Sequence, residues 1–143
     1  MSTSTALYQT RATAQAGRQG HVATDDGLLA LDLAYPKALG GQGNATNPEQ
    51  LFAAGYAACF SNAILHVARA QKIALQSAPV TAEVGLVARA DGGFALQITL
   101  AVQLDSTQAE ALVMAADAVC PYSHAIRGNV AVQIRVNDVL IGA

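Results

Sequence analysis

One stretch dominates what this chain can fold into. The run from Leu51 to Ala68 carries no formal charge, and it follows directly on Asn47-Pro48-Glu49-Gln50. Its length is at the lower edge of the roughly 17–25 residues that cross a bilayer as a helix. It holds Ser61, Asn62 and His66 in its second half, is rich in alanine and other small residues, and lies between Glu49 and Arg69, so a core helix rather than a membrane span is expected. Asn47 suits an N-cap, Pro48 the first helical position, and Gln50 can complete a capping box. The helix is predicted to run to about Lys72. Being apolar nearly all round, it is expected to be covered by sheet on one side and by a partner on the other.

The flanking segments read as strands. Residues 5–15 and 20–24 are expected to be strands around a turn at Gly17 to Gly20, and Asp26-Gly27 is a hairpin signal leading into residues 28–33. Downstream, residues 79–90 and 94–104 are predicted to pair across Asp91-Gly92-Gly93, with Val84, Leu86, Leu96, Ile98 and Leu100 at period-two positions. Thr107 and Glu110 have the spacing of a capping box for a second helix ending near Cys120, where Pro121 stops it. A short turn or helix at SHAIR then precedes a last strand bearing Val130, Val132, Ile134 and Val136. The order βββ-α-ββ-α-β lacks the strict alternation of a parallel fold, so the class is α+β in a single domain spanning residues 1–143.

Composition narrows the partners. Charged residues are 13% and hydrophobic ones 52%, against about 25% charged in typical domains. That excess of apolar surface points to a buried homo-oligomer interface. A net charge of −2 argues against nucleic acid as a partner, because a phosphate backbone selects clustered Lys and Arg. The first residues show no apolar signal core and carry Arg11, so a cytoplasmic protein is expected, in which a disulfide would be transient and chemical. The glycine-rich loop after Pro36 lacks the Gly-Lys-Ser/Thr of a nucleotide cradle.

Chemistry rests on few residues. Counted from Pro48, Cys59 is the twelfth helical residue, too far along for its own helix dipole to lower its pKa. In apolar surroundings a thiol of reference pKa about 8.5 would be under ~3% thiolate at pH 7. Either Cys59 is an inert core residue or a cation reaches it. Cys59, His66, Cys120 and His124 supply a nominal zinc set, but Cys59 and His66 stand roughly 10 Å apart along the helix, beyond the reach of one ion. His21, His66 and His124 have no spacing that marks a Cys-His hydrolase. Arg18 lies in a glycine-flanked turn, AGRQG, that can present its side chain inward, and Glu49 opens the long helix.

Taken together, NPEQLFAAGYAACFSNA around Cys59, VCPYSHAIRGNV around Cys120, and AGRQGHVATDDGLLALDL followed by PKALGG resemble the organic hydroperoxide resistance (Ohr) proteins of the OsmC superfamily. The similarity spans roughly residues 6–138, and the Cys120 signature separates Ohr proteins from their OsmC relatives. The resemblance implies an intertwined homodimer of antiparallel sheets packed around long central helices. It implies a thiol peroxidase that reduces organic hydroperoxides without metal, haem or flavin and is recycled by dihydrolipoyl groups on lipoylated proteins. Cys59 would be the peroxidatic cysteine, Cys120 the resolving one, and Arg18 with Glu49 the pair that activates Cys59. A guanidinium beside the thiol could bring its pKa to about 6. The expected apolar pocket is Tyr35, Pro36, Leu39, Phe52, Phe60, Met114 and Tyr122. Glu49 and Cys59 are about 15 Å apart along one helix, so Glu49 is predicted to act through Arg18 with help from a second chain, or through a helix bend. Two further readings remain open: a non-catalytic binding or redox-sensing dimer of the same fold, and an OsmC-type relative with other peroxide or reductant preferences.

Overall fold

The structure, a computed structural model, describes residues 4–142. Its contacts divide the chain into two compact units, one ending at Pro48 and one beginning at Glu49.

The first unit is a three-stranded antiparallel sheet of β1 (Ala12–Gln15), β2 (His21–Thr24) and β3 (Ala30–Asp32), in that order. The strands are shorter than the sequence predicts because they are largely exposed, and no buried face extends the pairing. A 3-10 turn, Gly17–Gln19, joins β1 to β2 with Ala16 and Gly17 at positive φ. Gly20 closes it against the Gln15 carbonyl, so closely that a Cβ there would overlap that oxygen. At the next corner Asp26 accepts hydrogen bonds from Thr24 Oγ1 (2.7 Å) and the Leu28 amide (3.0 Å), while Gly27 takes φ +73. The Asp-Gly hairpin signal is therefore realised as an Asx-type turn.

The second unit opens with the expected long helix, α1 (Pro48–Ala70). Tyr56, Phe60, Ala63, Ile64, Val67 and Ala68 are its buried residues, an i, i+4, i+7, i+8 stripe facing one core. The opposite side, with Ala54, Ala58, Asn62 and His66 at i, i+4 spacing, is exposed. α1 is long and apolar enough by length and composition to cross a membrane. Next come β4 (Val80–Ala88) and β5 (Phe94–Val102), an antiparallel hairpin registered Val84↔Ile98 and Leu86↔Leu96 as the alternation predicts. Its turn is held by a two-pronged contact of Arg89 with Asp91 (3.0 and 2.8 Å), which lowers the Asp91 pKa.

Two helices then cross over: α2 (Ala109–Val119) and α3 (Pro121–Ile126), with Cys120 as the hinge between them. The predicted Thr107/Glu110 capping box does not form. α2 starts after Gln108, whose side chain makes no cap bond, and Ser106 Oγ instead accepts from the Gln108 amide (3.1 Å).

β6 (Val132–Val136) returns parallel to β5, and β7 (Val139–Gly142) pairs with β6, giving the order β4-β5-β6-β7. The larger sheet is thus mixed where antiparallel sheets were expected, because the α2–α3 crossover carries the chain back to the same end of the sheet before β6 begins. β7 is an additional strand. It folds back on a two-residue turn, Asn137-Asp138, with both residues at positive φ (48 and 71). Asn137 also pins Leu104, accepting from its amide (2.9 Å) and donating to its carbonyl (3.0 Å). The core of this unit joins the α1 stripe to Ile98, Leu100, Val102, Leu112, Val113, Ile134 and Val136. The α+β class stands.

Candidate redox site

Cys59 lies on α1 one turn beyond Tyr56, half-buried, while Cys120 is wholly buried at the α2–α3 junction. Both are free thiols. The Cys120 thiol donates to the Cys59 sulfur at an Sγ–Sγ distance of 3.7 Å. Residues 61 positions apart in sequence are therefore in sulfur–sulfur contact. Closing that gap to a covalent bond near 2.05 Å needs the sulfurs to approach by about 1.7 Å.

The local fields on Cys59 oppose one another. Burial pushes its thiol above the ordinary range, and the hydrogen bond from Cys120 acts in the same direction. The backbone N–H of Tyr122, in the first turn of α3, lies close enough to the Cys59 sulfur to pull the other way. The sequence reading considered only the helix that carries Cys59 and so missed this donor. A backbone amide has no residue type of its own, and the one available signal was Cys120-Pro121, a junction where a new helix can start. Burial nevertheless wins. Within this unit alone Cys59 is mostly a thiol at neutral pH.

Aromatic rings cluster on the same stretches of α1 and α3 that carry the pair. Phe52 and Tyr122 meet edge to face (centroids 6.1 Å), Tyr56 lies 5.7 Å from Tyr122, and Phe52 and Phe60 each contact Tyr56 at 6.1 and 6.3 Å. Of the predicted pocket residues, Phe52 and Tyr122 are thus brought together, and the Tyr122 backbone lies at Cys59. Phe60 is 0% exposed and is core rather than pocket wall, since its position continues the buried α1 stripe. Met114 is exposed on α2, on the side away from that helix's buried residues Leu112 and Val113.

Gly55 explains how Tyr122 approaches α1. A Cβ at that position would meet the Tyr122 hydroxyl at 2.6 Å. A helix-interior glycine costs about 1 kcal/mol relative to alanine, so space for the ring is its physical justification. Gly55→Ala is expected to displace the tip of Tyr122. Because the helix gains what the ring loses, the melting temperature should stay within about 4 °C of the parent. The change should show as altered fluorescence or NMR shifts of Tyr122, with little loss of fold by circular dichroism.

The remaining predicted site residues sit as follows. Arg18 is half-buried in the 3-10 turn between β1 and β2, at the centre of its glycine-flanked segment. Glu49 lies in the first turn of α1, half-buried. The helix is continuous between Glu49 and Cys59, so they stand about 15 Å apart along the axis and some 80° apart around it. Tyr35 and Pro36 precede, and Leu39 ends, a second 3-10 turn, Lys37–Leu39, in the first unit. Tyr35 also lines a cleft of about 370 Å³ with Leu33, Gly40 and Gly41. Its backbone is so close to Gly41 that only glycine fits there.

Comparison with known proteins adds an independent line. The OsmC-like protein family matches residues 41–135. The organic hydroperoxide resistance protein OhrB of Bacillus subtilis is 47% identical over 135 residues, covering 92% of this chain and 98% of that protein. Among solved structures, an organic hydroperoxide resistance protein from Vibrio cholerae, with captopril bound in one of its active sites, superposes with a TM-score of 0.95. It is 58% identical and covers 98% of this chain and 99% of that one. A Legionella pneumophila organic hydroperoxide resistance protein gives a TM-score of 0.89 at 58% identity, covering 92% and 98%.

Proposed function

Because the chain belongs to the OsmC-like family, and within it to the organic hydroperoxide resistance proteins, we propose that its role in organic hydroperoxide resistance is enzymatic, as a two-cysteine thiol peroxidase. One observation carries the reading: a half-exposed thiol and a fully buried thiol in direct contact at 3.7 Å. That is the arrangement a peroxidatic and a resolving cysteine need, one open to a substrate and the other shielded until its partner is oxidised.

The steps balance as follows. The Cys59 thiolate attacks one peroxide oxygen, the O–O bond breaks, the alkoxide takes a proton and leaves as an alcohol, and Cys59 becomes a sulfenic acid. The Cys120 sulfur then attacks the Cys59 sulfur and water departs, leaving a disulfide. An external dithiol, of the dihydrolipoyl type, reduces that disulfide by exchange and is itself oxidised to a cyclic disulfide. Neither metal nor organic cofactor enters any step. The Phe52–Tyr122 ring pair, whose Tyr122 backbone lies at Cys59, suits the alkyl or acyl chain of an organic hydroperoxide better than the small, fully polar hydrogen peroxide.

Burial raises the Cys59 pKa, so the reading requires a cation, and Arg18 is the residue proposed to supply it, oriented by Glu49. The enzyme is proposed to work as a cytoplasmic homodimer. The exposed small residues Ala54 and Ala58 of α1 would allow a second chain to approach that helix closely.

The test is consumption of cumene or tert-butyl hydroperoxide with dihydrolipoamide as reductant. Turnover is expected, and its absence under reducing, metal-free conditions would sink the peroxidase reading in favour of a binding or sensing role. A pH series separates the Arg18 contribution. Cys59 alkylation by iodoacetamide should set in at lower pH in the parent than in Arg18→Ala, where burial acts unopposed and raises the thiol. At pH 7 Arg18→Ala should be alkylated at least about tenfold more slowly, the loss that goes with one pKa unit of cation stabilisation. Unchanged midpoints would remove Arg18 from the mechanism.

A further inference from the structure

Tyr56 and Ser123 share a hydrogen bond of 2.6 Å, with Tyr56 0% and Ser123 4% exposed. Among the described residues from Glu49 onward, Ser123 is the one buried side chain of the polar or charged class. The bond joins residues 67 positions apart, and its placement in the chain is specific. Tyr56 stands three residues before Cys59 on α1, and Ser123 three residues after Cys120 on α3, so each partner lies about one helical turn from one of the two sulfurs. Tyr122, whose amide reaches the Cys59 sulfur, lies between Cys120 and Ser123.

We infer that Tyr56 and Ser123 are a positioning pair that fixes α3 against α1, holding the two sulfurs in contact and the Tyr122 amide on Cys59. The pair acts through Cys120 and Tyr122 and touches no substrate. The inference rests on the reading that Cys59 becomes a sulfenic acid, and it specifies what governs the fate of that acid.

Three features support it. The Tyr56 ring is fixed by edge and tilted contacts with Phe52, Phe60 and Tyr122, so its hydroxyl has one direction to point. Burial raises the Tyr56 pKa, keeping the phenol protonated and the bond intact at every pH at which the thiol works. Finally, Arg127 Nη2 donates to the Asp117 carbonyl at 2.7 Å, tying the far end of α3 back to α2. With that end held, the Tyr56–Ser123 bond settles where the near end lies.

A sulfenic acid on Cys59 has two exits. In one, Cys120 attacks it and water leaves. In the other, a second hydroperoxide transfers an oxygen atom to it, an alcohol leaves, and Cys59 ends as a sulfinic acid. The first exit is intramolecular and depends steeply on alignment, with about 1 Å of misplacement capable of costing about a hundredfold. The second depends only on hydroperoxide concentration. Loosening the pair is therefore expected to shift the partition toward sulfinic acid.

The experiment uses the full chain as Tyr56→Phe, Ser123→Ala and the double variant, well below their melting temperatures. Intact mass after one cumene hydroperoxide exposure reads the sulfinic fraction. A second arm uses diamide, with closure of the disulfide followed as the rate plateau at saturating oxidant. Each single variant is expected to raise the sulfinic fraction at least about fivefold and to slow the diamide plateau similarly. The double variant should resemble the singles, because one shared bond can be lost only once. Lower melting temperatures with both readouts unchanged in Tyr56→Phe and Ser123→Ala would overturn the inference and leave the bond a structural one. If the parent closes its disulfide with diamide but does not react with cumene hydroperoxide, the peroxidase reading fails. The diamide plateaus of the variants then decide the positioning role by themselves.

Discussion

Cys59→Ser is expected to lower organic hydroperoxide consumption by at least about a thousandfold, to the level of protein-free buffer. The nucleophile in a peroxide displacement is a thiolate. A serine hydroxyl at the same position is a far weaker acid and is not oxidised by a two-electron oxygen transfer. Cys120 cannot substitute, because it is wholly buried beneath the first sulfur. The fold should survive, since Cys59 is half-buried and a hydroxyl there retains access to the Tyr122 amide. Circular dichroism and size-exclusion profiles matching the parent would assign the loss to chemistry. Equal turnover by Cys59→Ser would end the proposed mechanism.

Removal of the second sulfur should have a different signature. Cys120→Ser and Cys120→Ala are both expected to keep the first oxidation, so that one equivalent of hydroperoxide is consumed at the parental rate. Steady-state turnover with dihydrolipoamide should then fall by at least about tenfold, because a bimolecular attack on the sulfenic acid replaces an intramolecular one. Mass spectrometry should find Cys59 passing to the sulfinic state over successive exposures. The two substitutions also separate structure from chemistry. Serine buries a hydroxyl where the thiol was a weak donor, at a cost of about 1–3 kcal/mol if it goes unpaired. Alanine leaves only a small void. A common catalytic defect despite different melting temperatures would assign the role to the sulfur, and full cycling in either variant would exclude Cys120 as the resolving residue.

Elements with a buried, periodic face were legible before any coordinates. α1 announced itself through Asn47-Pro48 and an uncharged run, and the β4–β5 hairpin followed from the period-two positions Val84, Leu86, Leu96, Ile98 and Leu100 on either side of Asp91-Gly92-Gly93. Elements held by something other than burial were not. β7 is a short strand whose Val139 and Leu140 are exposed, and its turn depends on positive φ at Asn137 and Asp138, which no period reports. The second helix start was misassigned because Ser106 competes with Thr107 for the same orphan amides. At the site, the two cysteines and their pairing came from the resemblance of their surrounding motifs. The Tyr122 amide and the Tyr56–Ser123 bond depend on how α3 is seated, a property of packing across more than sixty residues of sequence.

The parallel pairing of β5 with β6 has a consequence for how the protein matures. Cys120 lies inside the crossover that joins β5 to β6, so the packing of α2 and α3 that returns the chain beside β5 also brings the two sulfurs together, both being contacts between residues far apart in sequence. A chain that has left the ribosome but not closed its central strands carries two separated thiols. Capacity to form the Cys59–Cys120 bond is thus acquired together with native topology. In a refolding experiment, the yield of that bond after a brief oxidant pulse would count the molecules that have completed their sheet.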